Sequence, residues 1–132
     1  MQQASSTGQS LPPTPWQPIL NGPLAARAHT AIDEIAATLQ PPSNLVVDAS
    51  LFGGAAGLAI FYTYLALAKR WENADTWAMT WLETAIAGTA DEKTQLSFFR
   101  GFPGVAWATT HLQDRIFAAD EDPNTAIDEA LA

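Results

Sequence analysis

The strongest constraint on the fold of this chain is a segment that occurs twice. Residues 50–65 (SLFGGAAGLAIFYTYL) align with residues 97–112 (SFFRGFPGVAWATTHL), 47 positions later, and seven of the 16 aligned residues are identical. Each copy carries an aromatic residue, then Gly-x-x-Gly, then an apolar run of helical length. A period of this size accommodates two helices and their loops, as in stacked helical-hairpin proteins. The repeat therefore predicts an all-α protein built from helical hairpins.

The remaining pattern predicts two kinds of helix that alternate along the chain. Residues 1–15 form a polar lead-in expected to be disordered, and residues 16–132 form one domain, with docking expected from Trp16 and Ile19-Leu20 onward. The predicted helices span about 22–39 (apolar face Leu24, Ala28, Ile32, Ile35, Leu39), 54–70, 74–87 (ending at Gly88), 101–117, and a last one after an Asp122-Pro123 cap. The two Gly-x-x-Gly helices are apolar nearly all round, which predicts an inner layer covered by amphipathic outer helices.

Composition excludes several classes of function. The chain has 132 residues, six Lys and Arg against 14 Asp and Glu, and a net charge of −8. Nucleic-acid binding needs clustered cations, so no nucleic acid is expected as a partner. The absence of cysteine excludes disulfides and any thiolate zinc site built from this chain. The first 15 residues lack the cationic and apolar regions of a secretory signal, so a cytoplasmic location is expected.

The paired glycines have a structural and a functional interpretation. Gly54 and Gly101 allow a sharp turn into each helix, with positive φ if required, and Gly57 and Gly104 allow a neighbour to approach closely. In the functional interpretation, the helix N-termini converge on a cavity and present free N–H groups to an anionic ligand. Tight packing is the preferred interpretation, because glycines in register within a repeat are evidence for architecture first.

The candidate polar site residues are few. His29 and His111 are the only imidazoles, and His111 aligns with Tyr64, a position interpreted as packing. Trp107 aligns with Ile60 and is interpreted in the same way. Arg100 directly precedes the second Gly-x-x-Gly and, with His111, is a candidate for facing an inner cavity. No residue is predicted to be catalytic, to bind a cofactor or to ligate a metal.

A membrane span is the main alternative fold. Residues 49–68 contain no charge, and Gly53-x-x-x-Gly57 has the spacing of a membrane helix-dimer motif. Twenty residues just suffice to cross a bilayer. Against this, the homologous copy carries Arg100, His111 and Gln113, and its paired glycines suit the start of a helix better than its middle.

The two Gly-x-x-Gly segments resemble successive repeats of the lanthionine synthetase C-like (LanC-like) family. The helix containing Ile32 and Ile35, and the segment from Asp122 to Leu131, are similar to the early part of bacterial members, so the resemblance covers about residues 16–132. It implies an α/α toroid, in which inner helices entered through Gly-x-x-Gly are wrapped by an outer ring. Family cyclases add cysteine thiols of a precursor peptide to dehydroalanine or dehydrobutyrine, with zinc activating the thiol.

The same resemblance implies a partial domain. The family's Cys, Cys and His zinc ligands and its acid/base residues lie in later hairpins, and no position here matches them. We therefore expect about two hairpins of the toroid, without catalytic activity alone. The partners implied are a precursor peptide or a C-terminal companion polypeptide. A helical binding or scaffold module is the alternative. Apolar surface at Val105, Trp107 and Phe117 is expected to stay uncovered, so self-association is expected as well.

Overall fold

Five α-helices form the described part of the chain. The computed structural model describes residues 15, 17–41, 47–91, 96–118 and 122–132. The helices are α1 (Gly22–Leu39), α2 (Ala55–Leu67), α3 (Ala74–Asp91), α4 (Phe102–Leu112) and α5 (Thr125–Leu131). Within these residues there is no strand, and a single isolated bridge pairs Gln113 with Phe117. The all-α prediction is confirmed.

The two Gly-x-x-Gly helices are neighbours, as the repeat predicts. Helix α2 contacts both α3 and α4, and α3 also contacts α4 and α5. Small side chains dominate the core where these helices meet, so their backbones approach closely; the buried alanines are Ala55, Ala56, Ala59, Ala74, Ala78, Ala85 and Ala108. The larger core side chains include Tyr62 and Trp81, and the ring of Tyr62 meets that of Trp77 edge to face at 5.5 Å.

Helix α3 shows the amphipathic pattern that its sequence predicts. Trp81 and Ala85 are buried and Trp77 and Ile86 are half-buried. The side chains on the opposite face are exposed; they are Thr76, Thr80, Glu83 and Thr84. The predicted stop at Gly88 is wrong, because α3 continues to Asp91. Gly88 instead allows close packing, since a Cβ there would lie 2.9 Å from the Cβ of Ala49.

Helix α1 docks through polar as well as apolar contacts. The Tyr62 hydroxyl donates a buried hydrogen bond to the Ala36 carbonyl at 2.7 Å, and Arg70 forms an ion pair with Asp33 at 2.9 Å. The predicted apolar face is only partly correct, because Leu24 and Ile35 are exposed. Ala36 is instead the one fully buried residue of α1.

The chain before α1 does not dock as predicted. Ile19 is 94% exposed and Leu20 is 41% exposed, while Trp16 lies outside the described residues. Of the predicted disordered segment 1–15, only Pro15 is described, and it is exposed. The described start of the domain is therefore Asn21 and α1.

Both Gly-x-x-Gly helices end earlier than the apolar runs suggest. After α2, the Lys69 N–H donates to the Ala66 carbonyl and the Arg70 N–H donates to the Leu65 carbonyl, with Lys69 at φ +51°. These are the hydrogen bonds of a Schellman C-terminus, which stops a helix whatever the hydropathy of the next residue. After α4, Asp114 adopts φ +62° and its N–H donates to the Phe117 carbonyl. Residues 113–117 are therefore a turn rather than helix.

The cap of the last helix lies two residues later than predicted. Asn124 is the residue preceding α5. Asp122 still organises the turn, because its carboxylate accepts the Asn124 N–H at 2.9 Å and its carbonyl accepts the Thr125 hydroxyl at 2.9 Å. An aspartate that caps a turn in this way is typical of the entry to a helix.

Candidate functional site

The paired glycines serve close packing in both copies of the repeat. A Cβ on Gly57 would lie 2.5 Å from the Leu51 carbonyl oxygen, and one on Gly104 would lie 2.0 Å from the Phe98 carbonyl oxygen. Leu51 and Phe98 are equivalent positions, so the loop before each helix folds over its first turn in the same way. Gly54 is equally constrained, since a Cβ there would lie 2.2 Å from the Asp48 carboxylate.

Neither Gly54 nor Gly101 adopts the positive φ that glycine allows. Their φ angles are −105° and −119°, which any residue adopts. The left-handed residue in the first copy is Gly53, with φ +78°. Its equivalent, Arg100, has no positive φ, so the two copies enter their helices by different backbone routes.

The N-terminus of α2 is already occupied by protein. The N–H groups of Ala55 and Ala56 donate to the carbonyls of Asp48 and Ala49, at 2.8 and 3.3 Å. The Asp48 carboxylate accepts the Ser50 N–H at 2.9 Å and lies beside this helix start. A negative side chain here stabilises the helix dipole and repels an anionic ligand. These contacts support the packing interpretation over the anion-binding one.

The two copies of the repeat touch at equivalent positions. The Phe52 N–H donates to the Phe99 carbonyl at 2.9 Å, which joins the two loops. At the other end of the helices, the Tyr64 hydroxyl and His111 Nε2 lie 2.9 Å apart. Both pairs consist of residues 47 positions apart, so α2 and α4 lie side by side in register.

A line of exposed rings runs along this pair of helices. The Phe98 and Trp107 rings meet edge to face at 5.9 Å, Trp107 stacks on His111 at 4.8 Å and 13°, and His111 lies 6.0 Å from the Tyr64 ring. Phe98, Trp107 and Tyr64 are 42%, 45% and 48% exposed. We call Phe98, Trp107, His111 and Tyr64 the aromatic strip.

The aromatic strip continues at its Phe98 end into the two repeat loops. Phe99 packs edge to face against Phe98 at 5.3 Å, and Phe52 lies beneath the Arg100 guanidinium, 5.8 Å from the ring centroid. Phe52 and Phe99 are both exposed. Contiguous exposed aromatic surface of this kind is typical of binding sites.

Two arginines border the aromatic strip. Arg100 lies at the Phe98 end, and Arg115 donates a hydrogen bond to the His111 carbonyl at the other end. Burial, and secondarily the nearby Arg115 charge, lower the pKa of His111 below its ordinary value. The neutral imidazole is therefore favoured at neutral pH, where it shares a hydrogen bond with the Tyr64 hydroxyl.

The candidate residues from the sequence fall into two groups. Arg100 and His111 both lie at the surface of the α2–α4 pair, with Arg100 exposed and His111 half-buried, whereas His29 is on α1. Trp107 is not the packing residue that its alignment with Ile60 suggests. Of the residues expected to be uncovered, Trp107 is exposed, Phe117 is half-buried and Val105 is fully buried, so the prediction for Val105 is wrong.

The structure also bears on metal and membrane sites. Among the described residues, no three His, Cys, Asp or Glu side chains are placed to hold one metal ion. Helix α2 has 13 residues where the membrane alternative required a span over 49–68. Across the described parts of the chain, no helix has both the length and the apolarity that crossing a membrane requires.

Sequence reasoning missed the aromatic strip as a unit. Trp107 and His111 are four residues apart on α4, and such a pair lies on one helix face. The repeat alignment already pairs His111 with Tyr64. Those two facts together predict three rings in a row once the helices are placed in register.

Comparison of the chain with protein-family models, curated proteins and solved structures finds no significant match.

Proposed function

We propose that this chain forms two adjacent hairpin units of a LanC-like α/α toroid and contributes to a thioether-forming, peptide-modifying protein. The observation that carries the proposal is the register between the repeats, in which Phe52 meets Phe99 and Tyr64 meets His111. Equal units that stack with equal faces generate a curved, repeating wall. In this arrangement α2 and α4 belong to an inner ring, and α1, α3 and α5 belong to an outer ring.

The aromatic strip is the surface that the proposal assigns to partners. An inner ring presents its free face to the interior of the toroid, so the aromatic strip would border the space that a precursor peptide enters. Aromatic rings bind apolar peptide side chains over a large area at low entropic cost. Further helices from a companion polypeptide, or from a second copy of the chain, would continue the ring and leave this face open to the peptide.

The proposal assigns the chemical step to groups outside this chain. Zinc that activates a thiol needs three protein ligands, and the family's thiolate ligands require cysteine, which this chain lacks. We therefore expect the chain alone to position peptide rather than to catalyse thioether formation. As proposed, it acts in the cytoplasm, where a newly synthesised precursor peptide is accessible.

A complementation assay tests this function. A LanC-like cyclase lacking its first two hairpins would be mixed with this chain, zinc and a dehydrated precursor peptide. Thioether formation would be followed by the loss of thiols that can be alkylated. We expect activity only with both polypeptides. A matched variant, Trp107→Ala, should reduce the restored activity by removing half-exposed aromatic surface without disturbing the core.

The opposite result of the assay is equally clear. If the mixture is no more active than the truncated cyclase, while the chain is folded by circular dichroism, the toroid proposal is wrong. The exposed aromatic strip then favours the second candidate, a helical peptide-binding module that acts without a catalytic partner. That module would bind peptides in the absence of any cyclase, as measured by shifts of the Trp107 indole and Tyr64 ring signals in NMR spectra.

A further inference from the structure

Helix α1 packs on the described core through its second half. The α1 residues that pack there are Ile32, Ala36 and Leu39, and Asp33 pairs with Arg70. Among the described residues, none of 22–31 is part of this contact. The first half of α1 therefore projects from the described core. A helix of about ten residues is marginal in water by itself, so this half gains stability from any further surface that covers it.

A second apolar face of α1 is uncovered. Leu24, Ala31, Ile35 and Thr38 follow one another at spacings of seven, four and three, so they share one side of the helix. All four are exposed, Leu24 by 56% and Ile35 by 48%. The Thr38 hydroxyl donates to the Glu34 carbonyl at 2.9 Å and thus needs no partner across this face. We call Leu24, Ala31, Ile35 and Thr38 the outer stripe.

A groove runs along the second half of the outer stripe. Its volume is about 390 Å³, and the described residues that line it are Ala31, Glu34, Ile35, Thr38 and Leu39. These residues extend over about 12 Å of helix axis at 1.5 Å per residue. A mainly apolar groove of this length is suited to the side chains of another helix.

Two opposite charges border the outer stripe. Arg27 and Glu34 are seven residues apart, so they lie on the same side of the stripe, and both are exposed. The ion pair found among the described residues joins Arg70 and Asp33, which leaves Arg27 and Glu34 without an opposite charge. A complementary surface presents a carboxylate to Arg27, a cation to Glu34 and apolar side chains between them.

Helix α1 of a second copy has this arrangement when the two helices run antiparallel. With the two Ala31 residues at the two-fold axis, Arg27 lies four residues before the axis and Glu34 lies three residues after it. Arg27 of each copy therefore comes opposite Glu34 of the other, and the pair forms twice. Leu24 and Thr38 are both seven residues from Ala31, so the larger side chain of one copy meets the smaller one of the other.

The other described helices do not offer this charge pattern. Helices α2 and α4 contain no Lys, Arg, Asp or Glu. The charged residues of α3 and α5 are all acidic, so either helix would bring like charges to Glu34. Among the described helices, α1 is therefore the best electrostatic partner for itself.

We propose that two copies of this chain associate through an antiparallel pair of α1 helices, with their outer stripes in contact and Arg27 paired with Glu34 across the interface. Ala31 lies at the axis, where its small side chain lets the helices approach closely. The docked second halves of α1 then lie at opposite ends of the pair, which separates the two cores. The interface uses no residue of the aromatic strip and does not rest on the toroid proposal.

Sedimentation equilibrium at micromolar concentration tests the contact. The chain should associate reversibly to a dimer. Glu34→Arg should weaken association at least about tenfold, because it replaces two attractive contacts by two repulsive ones. The matched control is Glu83→Arg, which makes the same change of charge at an exposed position of α3 and should alter association by less than about twofold. Circular dichroism should show equal helix content in all variants.

Mixing two variants makes the test specific for the proposed register. Arg27→Glu places two carboxylates opposite each other, so this variant should also associate at least about tenfold more weakly. An equimolar mixture of Arg27→Glu and Glu34→Arg chains restores both attractive pairs and should form a heterodimer with an affinity close to that of the parent chain. Failure of the mixture to associate, with both variants folded, would overturn the proposal.

Single cysteines provide a second measurement, because the chain has none of its own. Ala31→Cys should form a disulfide between copies under mild oxidation, since the two residues meet at the axis. Leu24→Cys should not, because two Leu24 residues lie 14 residues apart along the antiparallel pair, about 21 Å. Equal crosslinking of the two variants would refute the antiparallel register. A chain that stays monomeric at all concentrations, or dimerises only after residues 1–15 are removed, would refute the interface itself.

Discussion

The first turn of α4 leaves no space for a side chain at Gly104, and this makes Gly104→Ala a direct test of the packing. A Cβ there would lie 2.0 Å from the Phe98 carbonyl oxygen and 3.0 Å from the Leu51 Cβ. The nearest atom is backbone, so the loop itself must move. Such overpacking costs about 1–3 kcal/mol, occasionally more. Alanine recovers up to about 1 kcal/mol through its higher helix propensity.

We expect a net loss of about 2 kcal/mol for Gly104→Ala, because a 2.0 Å approach to backbone places the cost at or above the upper end of that range. For a domain of this size 1 kcal/mol corresponds to about 4 °C, so Tm should fall by about 8 °C. Thermal unfolding followed by circular dichroism measures this. Gly57→Ala should cost less, since its one backbone neighbour closer than 3 Å is the Leu51 oxygen at 2.5 Å.

A control separates packing from backbone strain. Gly22 has φ +59°, and no atom lies within 4 Å of the position that a Cβ would take, so Gly22→Ala carries strain without a clash. Left-handed backbone costs a non-glycine residue about 1–2 kcal/mol. If Gly104→Ala were no less stable than the parent chain, the close approach of the Phe98 loop would be refuted. The shared geometry inferred for the two repeat loops would then have no basis.

The remaining predictions concern Tyr62, His111 and zinc. Tyr62→Phe leaves the buried Ala36 carbonyl without its donor and should cost about 1–3 kcal/mol in a denaturant titration. Burial raises the pKa of Tyr62 to about 12. The contribution of Tyr62 to stability is therefore complete below pH 10 and is lost as the pH rises toward 12. Unfolding at alkaline pH measures this loss. The pKa of His111 is lowered by burial and by Arg115, so the contribution of His111 to stability is present above pH 6.5 and is lost as the pH falls. NMR titration of His111 should show a pKa below 6.5, and this pKa should rise in Arg115→Ala. After dialysis against a weak chelator, the chain should retain no stoichiometric zinc by elemental analysis, because it has no cysteine and its two histidines lie on different helices.

Hydrophobic periodicity predicts where the helices lie. It predicts a helix end only where the sequence contains a residue that stops a helix by itself. Pro41 and Pro42 follow α1, which ends at Leu39 as expected. By contrast, α2 ends in a Schellman turn at Lys69, a residue with no intrinsic preference for a left-handed conformation. Tertiary packing selects that conformation, so propensity alone cannot locate it. Gly88 shows the converse, since its lack of a side chain serves packing against Ala49 rather than helix termination.

The exposed rings are harder to predict than the helices because burial is not a property of repeat position alone. Ile60 and Trp107 occupy equivalent positions and are half-buried and exposed respectively. Apolar residues all round a helix indicate burial on most sides, but the pattern does not identify the side that stays uncovered. That side is defined by the neighbours, which here include α3 for both helices and the partner helix of the repeat.

The residues that differ between the two copies of the repeat build the aromatic strip, whereas the identical residues hold the two helices in register. The identical glycines place α2 and α4 in register, and this register brings Tyr64 to within 2.9 Å of His111. A phenol and a neutral imidazole complement each other as donor and acceptor. The stacked pair then extends through Trp107, where the first copy has Ile60. Divergence at these two positions thus changes an ordinary packing face into an exposed row of rings. A variant that restores equivalence, Trp107→Ile with His111→Tyr, should keep the helical content of the parent chain by circular dichroism and lose the peptide binding that we propose for the aromatic strip.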